Sequence, residues 1–329
     1  MKMLLKKIVP QNWLQWLNRT RTNRKLNRVN RYNNRRILFF SSTYAKDKNA
    51  ALAKLMVESH TLEKGITMPG RRLGFGRDRV ISIISNIRLI INRWGADSVE
   101  VQSALANLKQ YLEIHEKAQY NLPETIKTGI ITMLPYLTMN DDNCFVANKD
   151  DYFQKTDNFV DFALSRHSIR SFSSTPVDED KLIKAIQLAQ TAPSACNRQA
   201  TRVKIISSDE GKKLCCKMQR GNRGFGDRAD KWLLITTELG DWAYHHVQEG
   251  YTDAGIFTMN LLYALHYYGI AACTLNALFS PEEKEQLRKG LGYPESEEPV
   301  CFIVIGNTDT EFMVCRSRRL CTKDIIQEL

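Results

Sequence analysis

Two short stretches, Trp232-Leu233-Leu234-Ile235 and Cys301-Phe302-Ile303-Val304-Ile305, are apolar at every position. A strand with one wet face alternates apolar and polar residues, whereas a continuously apolar strand has both faces covered. These two stretches therefore read as central strands of a sheet sandwiched between helices. Further strands are expected near 201–207 and 271–274, beside 231–237 and 299–306, with helices near 157–165, 178–190, 209–219, 251–268 and 281–289. The alternation of the two element types gives an α/β or α+β fold arranged as an α/β/α sandwich.

Upstream the period changes to that of helices. Leu52, Leu55, Met56, Ser59 and Leu62 recur at three and four residues, and Gly65 suits a helix stop. Val80, Ile83, Ile84, Ile87, Ile90, Ile91 and Trp94 repeat the pattern before Gly95. A third helix is expected to open at Asp97 with Glu100 completing a capping box, and to run through Val101, Leu105, Leu108 and Leu112. The polar segment from Asn140 to Asp151 reads as a linker. The chain thus divides into a basic arm (1–45), a helical extension (46–150) and the sandwiched domain (151–329).

The net charge of +11 belongs to the arm. The first 36 residues carry eleven Lys and Arg and no Asp or Glu; removing those eleven from the 47 leaves 36 basic residues against 36 acidic ones. A balanced body gives no reason to expect nucleic acid as a partner. The arm, an amphipathic piece around Trp13, Leu14, Trp16 and Leu17 followed by an Arg/Asn-rich stretch, is expected to be a partly disordered or loosely packed tail, with attachment to an anionic membrane surface or to nucleic acid as the alternatives. No run approaches the roughly 18 apolar residues of a membrane span, and Met1 to Pro10 lacks the apolar core of a signal peptide. Eight cysteines without a C-x-x-C pair fit a reduced cytoplasmic chain.

Two segments carry chemistry. Arg166-His167-Ser168-Ile169-Arg170-Ser171-Phe172 places two guanidinium groups around a hydroxyl, a set suited to a phosphate or an electron-rich ring. Ala192-Pro193-Ser194-Ala195-Cys196-Asn197-Arg198-Gln199 is a turn whose amides offer donors and acceptors to a heterocycle edge. With Gly221-Asn222-Arg223-Gly224-Phe225 and the basic run Arg316 to Arg319 following in order, the C-terminal half resembles the nitroreductase superfamily.

That resemblance implies a mixed sheet flanked by helices, bound FMN, NAD(P)H as donor, a small-molecule electron acceptor and a homodimer. It implies that Arg166 and Ser168 hold the FMN phosphate and ribityl end, with Arg318, Arg319 or Arg316 closing on the phosphate. Arg170 would approach the flavin pyrimidine edge, Pro193, Ser194 and Asn197 would line the ring from the partner strand of the site, and the backbone at Leu275 and Asn276 would lie near N5. No catalytic acid is assigned, and the apolar run from Tyr251 to Tyr268, with Gly255, is the expected dimer helix. Departures lie at Ala200 and Thr201, where an aromatic residue is common, and at Gly226 and Ala229, where some relatives are polar. The string His60-Thr61-Leu62-Glu63-Lys64-Gly65 with Arg71 to Gly76 resembles an extension of nitroreductase-like proteins linked to polysaccharide synthesis, and the alternative function is a flavin-binding sensor or assembly module docked through its basic arm. His60 and Glu63, one turn apart, read as a local polar contact rather than a metal site, and His245-His246 and Cys215-Cys216 read as solvated or inert.

Overall fold

The structure, a computed structural model, describes residues 10–40, 46–153, 158–242 and 247–329. In the arm, expected as a loosely packed tail, the backbone is one helix, α1 (Gln11–Phe40), whose described side chains are mostly exposed, while residues 1–9 and 41–45 fall outside the described set. The helical extension follows as α2 (Lys48–Thr67), α3 (Arg77–Trp94), α4 (Val99–Lys117) and α5 (Glu124–Met133). Two boundaries correct the sequence reading. Ser98, not Asp97, caps α4, accepting a hydrogen bond from the Val101 amide at 3.4 Å. Gly65 does not stop α2, which runs on to Thr67; a Cβ at Gly65 would come 2.3 Å from the Phe75 ring, so the glycine makes room for a packed aromatic.

The segment expected to link the two parts is instead built into them. Strand β1 (Cys144–Asn148) pairs antiparallel with β6 (Glu311–Cys315), setting Cys144 opposite Cys315. Both cysteines pack into the core of the extension, beside Leu55, Leu62 and Leu105. A short helix, α6 (Lys149–Tyr152), leads to α7 (Phe159–Ser165). Residues 154–157 and 243–246, which include His245 and His246, lie outside the described residues.

The main sheet runs in the order β2 (Thr201–Ile206), β3 (Lys231–Glu238), β5 (Glu297–Gly306), β4 (Ala271–Asn276). Helices α8 (Glu179–Ala189), α9 (Asp209–Met218), α10 (Val247–Tyr267) and α11 (Pro281–Leu291) cover it. Side-chain alternation on β3 and β5 explains the apolar runs. Trp232, Leu234, Phe302 and Val304 enter the core on one face with Phe225 and Leu287. Leu233, Ile235, Ile303 and Ile305 enter the core on the other face with Leu182, Leu261 and Leu265. The α+β sandwich stands, but each described pairing in it is antiparallel rather than mixed. The reason lies in the connections: α11 and its loop leave β4 at Asn276 and return at the same end of the sheet, where Asn276 faces Cys301. No helix among the described residues is long and apolar enough to cross a membrane.

Candidate active site

The segment Arg166 to Phe172 leaves the end of α7 and is pinned to β4 by the Ile169 amide donating to Ala272 O at 3.0 Å. Ser168 lies beside the Cys273 sulfur, whose own thiol is turned to Thr274 O at 3.8 Å. Arg170 is buried; its guanidinium carbon lies 5.9 Å from the centre of the Phe225 ring and one terminal nitrogen lies 3.9 Å from Cys315 Sγ. The Nε atoms of both Arg166 and Arg170 are buried without a hydrogen-bond partner. Buried donors are rarely left so, and two at the predicted positions mark a place for an acceptor-rich group.

Around Arg166 the imidazoles are held neutral. Burial pushes His266 down to about 4, with the Arg166 charge adding to the shift, and burial also lowers His167. The Ser165 hydroxyl donates to Phe162 O, so its 2.8 Å contact with His266 Nε2 has the ring nitrogen as donor. Arg166 therefore carries the fixed positive charge of this corner.

The loop Gly221 to Phe225 closes the other side. Gln219 donates to Asn276 O at 3.3 Å and accepts from the Gly221 amide at 2.7 Å, tying this loop to the end of β4 where Leu275 and Asn276 lie. From the extension, Lys64 on α2 donates to Gly221 O at 3.1 Å, and Met68 would meet any Cβ added at Gly224. Neither contact is visible in the sequence, because Lys64 and Gly221 are far apart in the chain.

The turn Pro193 to Gln199 is placed elsewhere. Its Ala195 amide donates to Asp253 Oδ2 at 2.9 Å, near the start of α10, whereas Ser165 meets His266 at that helix's end. Thirteen residues of helix span roughly 20 Å, so one chain anchors the two motifs at opposite ends of α10. Pro193 and Ser194 line a cleft of about 440 Å³ with Ile183, Ile186, Val203 and Phe257. Cys196, Asn197 and Gln199 all hold left-handed backbone, with φ of 54°, 55° and 52°. Strain of this kind gathers at functional sites.

The basic C-terminal run splits. Arg318 is committed to the loop before β1, donating to Asn143 Oδ1 and Asp141 O, each at 2.7 Å. Arg316 stacks over Phe145 at 4.8 Å, and its charge, with that of Arg319, reaches His167 beside Arg166. Ser317 between them is left-handed, with φ of 48°. His60 and Glu63 make the expected local contact at 3.1 Å, and the fold brings Cys144 and Cys315 to within 4.8 Å of that carboxylate. Both thiols are turned onto the Glu63 backbone carbonyl, at 3.8 and 3.7 Å.

The nitroreductase family profile matches residues 163–220 and 209–307. No curated protein matches the chain. Among solved structures, one from Staphylococcus epidermidis described as an NAD(P)H:FMN oxidoreductase is 19% identical, with 54% of this chain and 98% of that one aligned at a TM-score of 0.48. A structure from Exiguobacterium sibiricum in complex with FMN is 17% identical over 54% of this chain and 99% of that one, at 0.47. A nitroreductase family protein from Clostridium difficile is 23% identical over 52% and 97%, at 0.43.

Proposed function

Residues 163–307 belong to the nitroreductase family, and on that premise we propose that the protein is an FMN-dependent oxidoreductase working as a homodimer. The observation that carries this reading is the pair of buried, partnerless Nε atoms on Arg166 and Arg170. Their donors fit FMN, which is anionic at its phosphate and rich in acceptors along its pyrimidine edge. Bound there, FMN would supply a two-electron carrier able to take hydride from NAD(P)H and pass electrons to a nitroaromatic, quinone-like or other conjugated acceptor.

Arg166, with Arg316 and Arg319 near it, would hold the phosphate, while Arg318 braces the loop before β1. Ser168 would hydrogen-bond the ribityl end, and Arg170 would face the pyrimidine edge. The Leu275–Asn276 backbone and the Gly221 loop bound the ring on this chain's side. Pro193, Ser194 and Asn197 would complete the site on a second copy, because this chain holds them at the far end of α10. An apolar face suits that copy: Phe159, Val160 and Leu164 of α7 are 66, 61 and 71% exposed, Phe159 meets Tyr263 of α10, and Ile256 and Met259 of that helix are exposed too. An exposed apolar surface of this kind marks an interface. The eight cysteines are all unpaired, which suits the reducing cytoplasm.

The test is spectroscopic. The purified chain should be yellow, release FMN on denaturation and bleach when NADPH is added without oxygen. A colourless preparation that FMN does not reconstitute overturns the reading. The exposed Trp13 and Trp16 on the basic helix α1 favour a second role, docking on an anionic membrane surface. Deleting residues 1–45 should then abolish binding to anionic vesicles and leave turnover unchanged.

A further inference from the structure

Lys64 is the unexplained charge at this site. It belongs to the helical extension, outside the matched family region, yet its ammonium reaches the Gly221 carbonyl across 157 positions of chain. Its electrostatic neighbours are Arg170, a like charge, and the sulfurs of Cys273 and Cys315. No ion pair joins Lys64 or Arg170 to a carboxylate among the described residues. Burial pushes the Cys273 thiol up, and Cys315, though drawn down by its hydrogen bond with Cys144, turns its thiol onto Glu63 O at 3.7 Å as a donor, so neither sulfur is a formal counter-charge. Burial, and then the Arg170 charge, hold Lys64 below the ordinary lysine range.

Two cations partly withdrawn from water repel each other and forfeit hydration. A fold tolerates such a pair where a ligand delivers the missing negative charge. The Lys64 ammonium has three donors, of which Gly221 O takes one. Arg170 has its Nε free.

We propose that Lys64 is a flavin-binding residue which, with Arg170, forms a two-cation seat for the negative charge that the flavin pyrimidine edge gains on reduction. This rests on the FMN reading above and adds that the extension is part of the redox site. A cation placed there stabilises the reduced, anionic flavin more than the oxidised, neutral one. Lys64 thereby favours electron uptake, and the docking of α2 on the Gly221 loop sets how strongly.

The test compares the wild-type chain with Lys64→Gln, which keeps a hydrogen-bond donor and loses the charge, and Lys64→Arg, which keeps the charge. Dissociation constants of oxidised FMN come from flavin fluorescence, and midpoint potentials from anaerobic dye equilibration. Lys64→Gln should bind oxidised FMN within about threefold of wild type and lose about tenfold of the preference for reduced flavin. That loss is a potential about 30 mV more negative for a two-electron couple. Lys64→Arg should restore most of it. An unchanged potential in Lys64→Gln makes the lysine a brace for the Gly221 loop and overturns the proposal. A tenfold or greater loss of oxidised FMN at unchanged potential assigns Lys64 to the phosphate and overturns it too. A wild-type chain that takes up no flavin defeats the FMN reading itself, and this inference with it, so the two failures are told apart by the wild-type measurement.

Discussion

At the scale of single residues, the corner around Arg166 shows how burial decides charge. Sequence alone marks Arg166 and Ser168, since their types and spacing suit a phosphate-bearing ligand; it says nothing of His266, which arrives from a distant helix. That histidine is buried and hydrogen-bonded to Ser165 through Nε2, and its folded-state value lies near 4 against 6.5 for a free imidazole. The unfolded chain therefore binds a proton between these values that the folded chain refuses. The stability this residue supports is fully present above pH 6.5 and falls as the pH drops toward 4. Two and a half pH units correspond to on the order of 3 kcal/mol. Chemical denaturation between pH 7 and 4 should show a decline of that size for the flavin-free protein, and His266→Asn should flatten it. An equally steep decline in the variant would assign the acid sensitivity to other groups.

Among the elements, helix α2 carries more than its periodicity discloses. The repeat of Leu52, Leu55 and Leu62 reveals a helix with a buried stripe, and Leu55 and Leu62 do reach the core. The same stretch conceals three contacts made beyond that stripe: Glu63 O with two thiols, Lys64 with Gly221, and Gly65 with Phe75. Such contacts join segments distant in the chain, so neither propensity nor period encodes them. Gly65→Ala separates the two meanings of the glycine. As an ordinary helix position it would gain up to about 1 kcal/mol from the better helix former. Here the new methyl meets a ring held edge-on to Tyr111 at 5.1 Å and beside His115, which accepts from the Gly74 amide at 2.8 Å. Overpacking of this kind costs about 1–3 kcal/mol, so thermal unfolding should show a net loss of stability. A raised melting temperature would mean the Phe75 ring yields freely. The strands were more legible than the helix for a related reason: alternation on β3 and β5 sends neighbouring residues to opposite cores, and an unbroken apolar run can hardly do otherwise.

For the whole molecule, the separation of the Arg166 and Pro193 segments along α10 is the fact that sequence could not supply. Order and spacing bring Arg166 and Pro193 to within a few tens of residues, which reads naturally as one local site; the fold anchors their segments, through Ser165 and Ala195, to points roughly 20 Å apart along one helix. In the proposed homodimer, a two-fold axis lying across α10 would bring the start of each α10 against the end of its partner's, because an isologous interface that pairs one position with another also pairs them in reverse. This arrangement has a consequence that a site contained in one chain does not share. Arg166→Ala should weaken FMN retention about tenfold or more, since a charged contact of this kind contributes about 1.5–3 kcal/mol, and Ser194→Trp should obstruct the opposite wall. Each homodimer is then defective at both sites. Mixing the two variants through denaturation and refolding yields heterodimers in which one site collects both defects and the other collects neither. With random pairing, roughly a quarter of all sites should regain wild-type FMN affinity, as flavin titration of the mixture would show against each variant alone. Absence of any recovery, in a mixture whose heterodimers are verified by mass, would place the whole site within a single chain and leave the apolar face of α7 and α10 without this role.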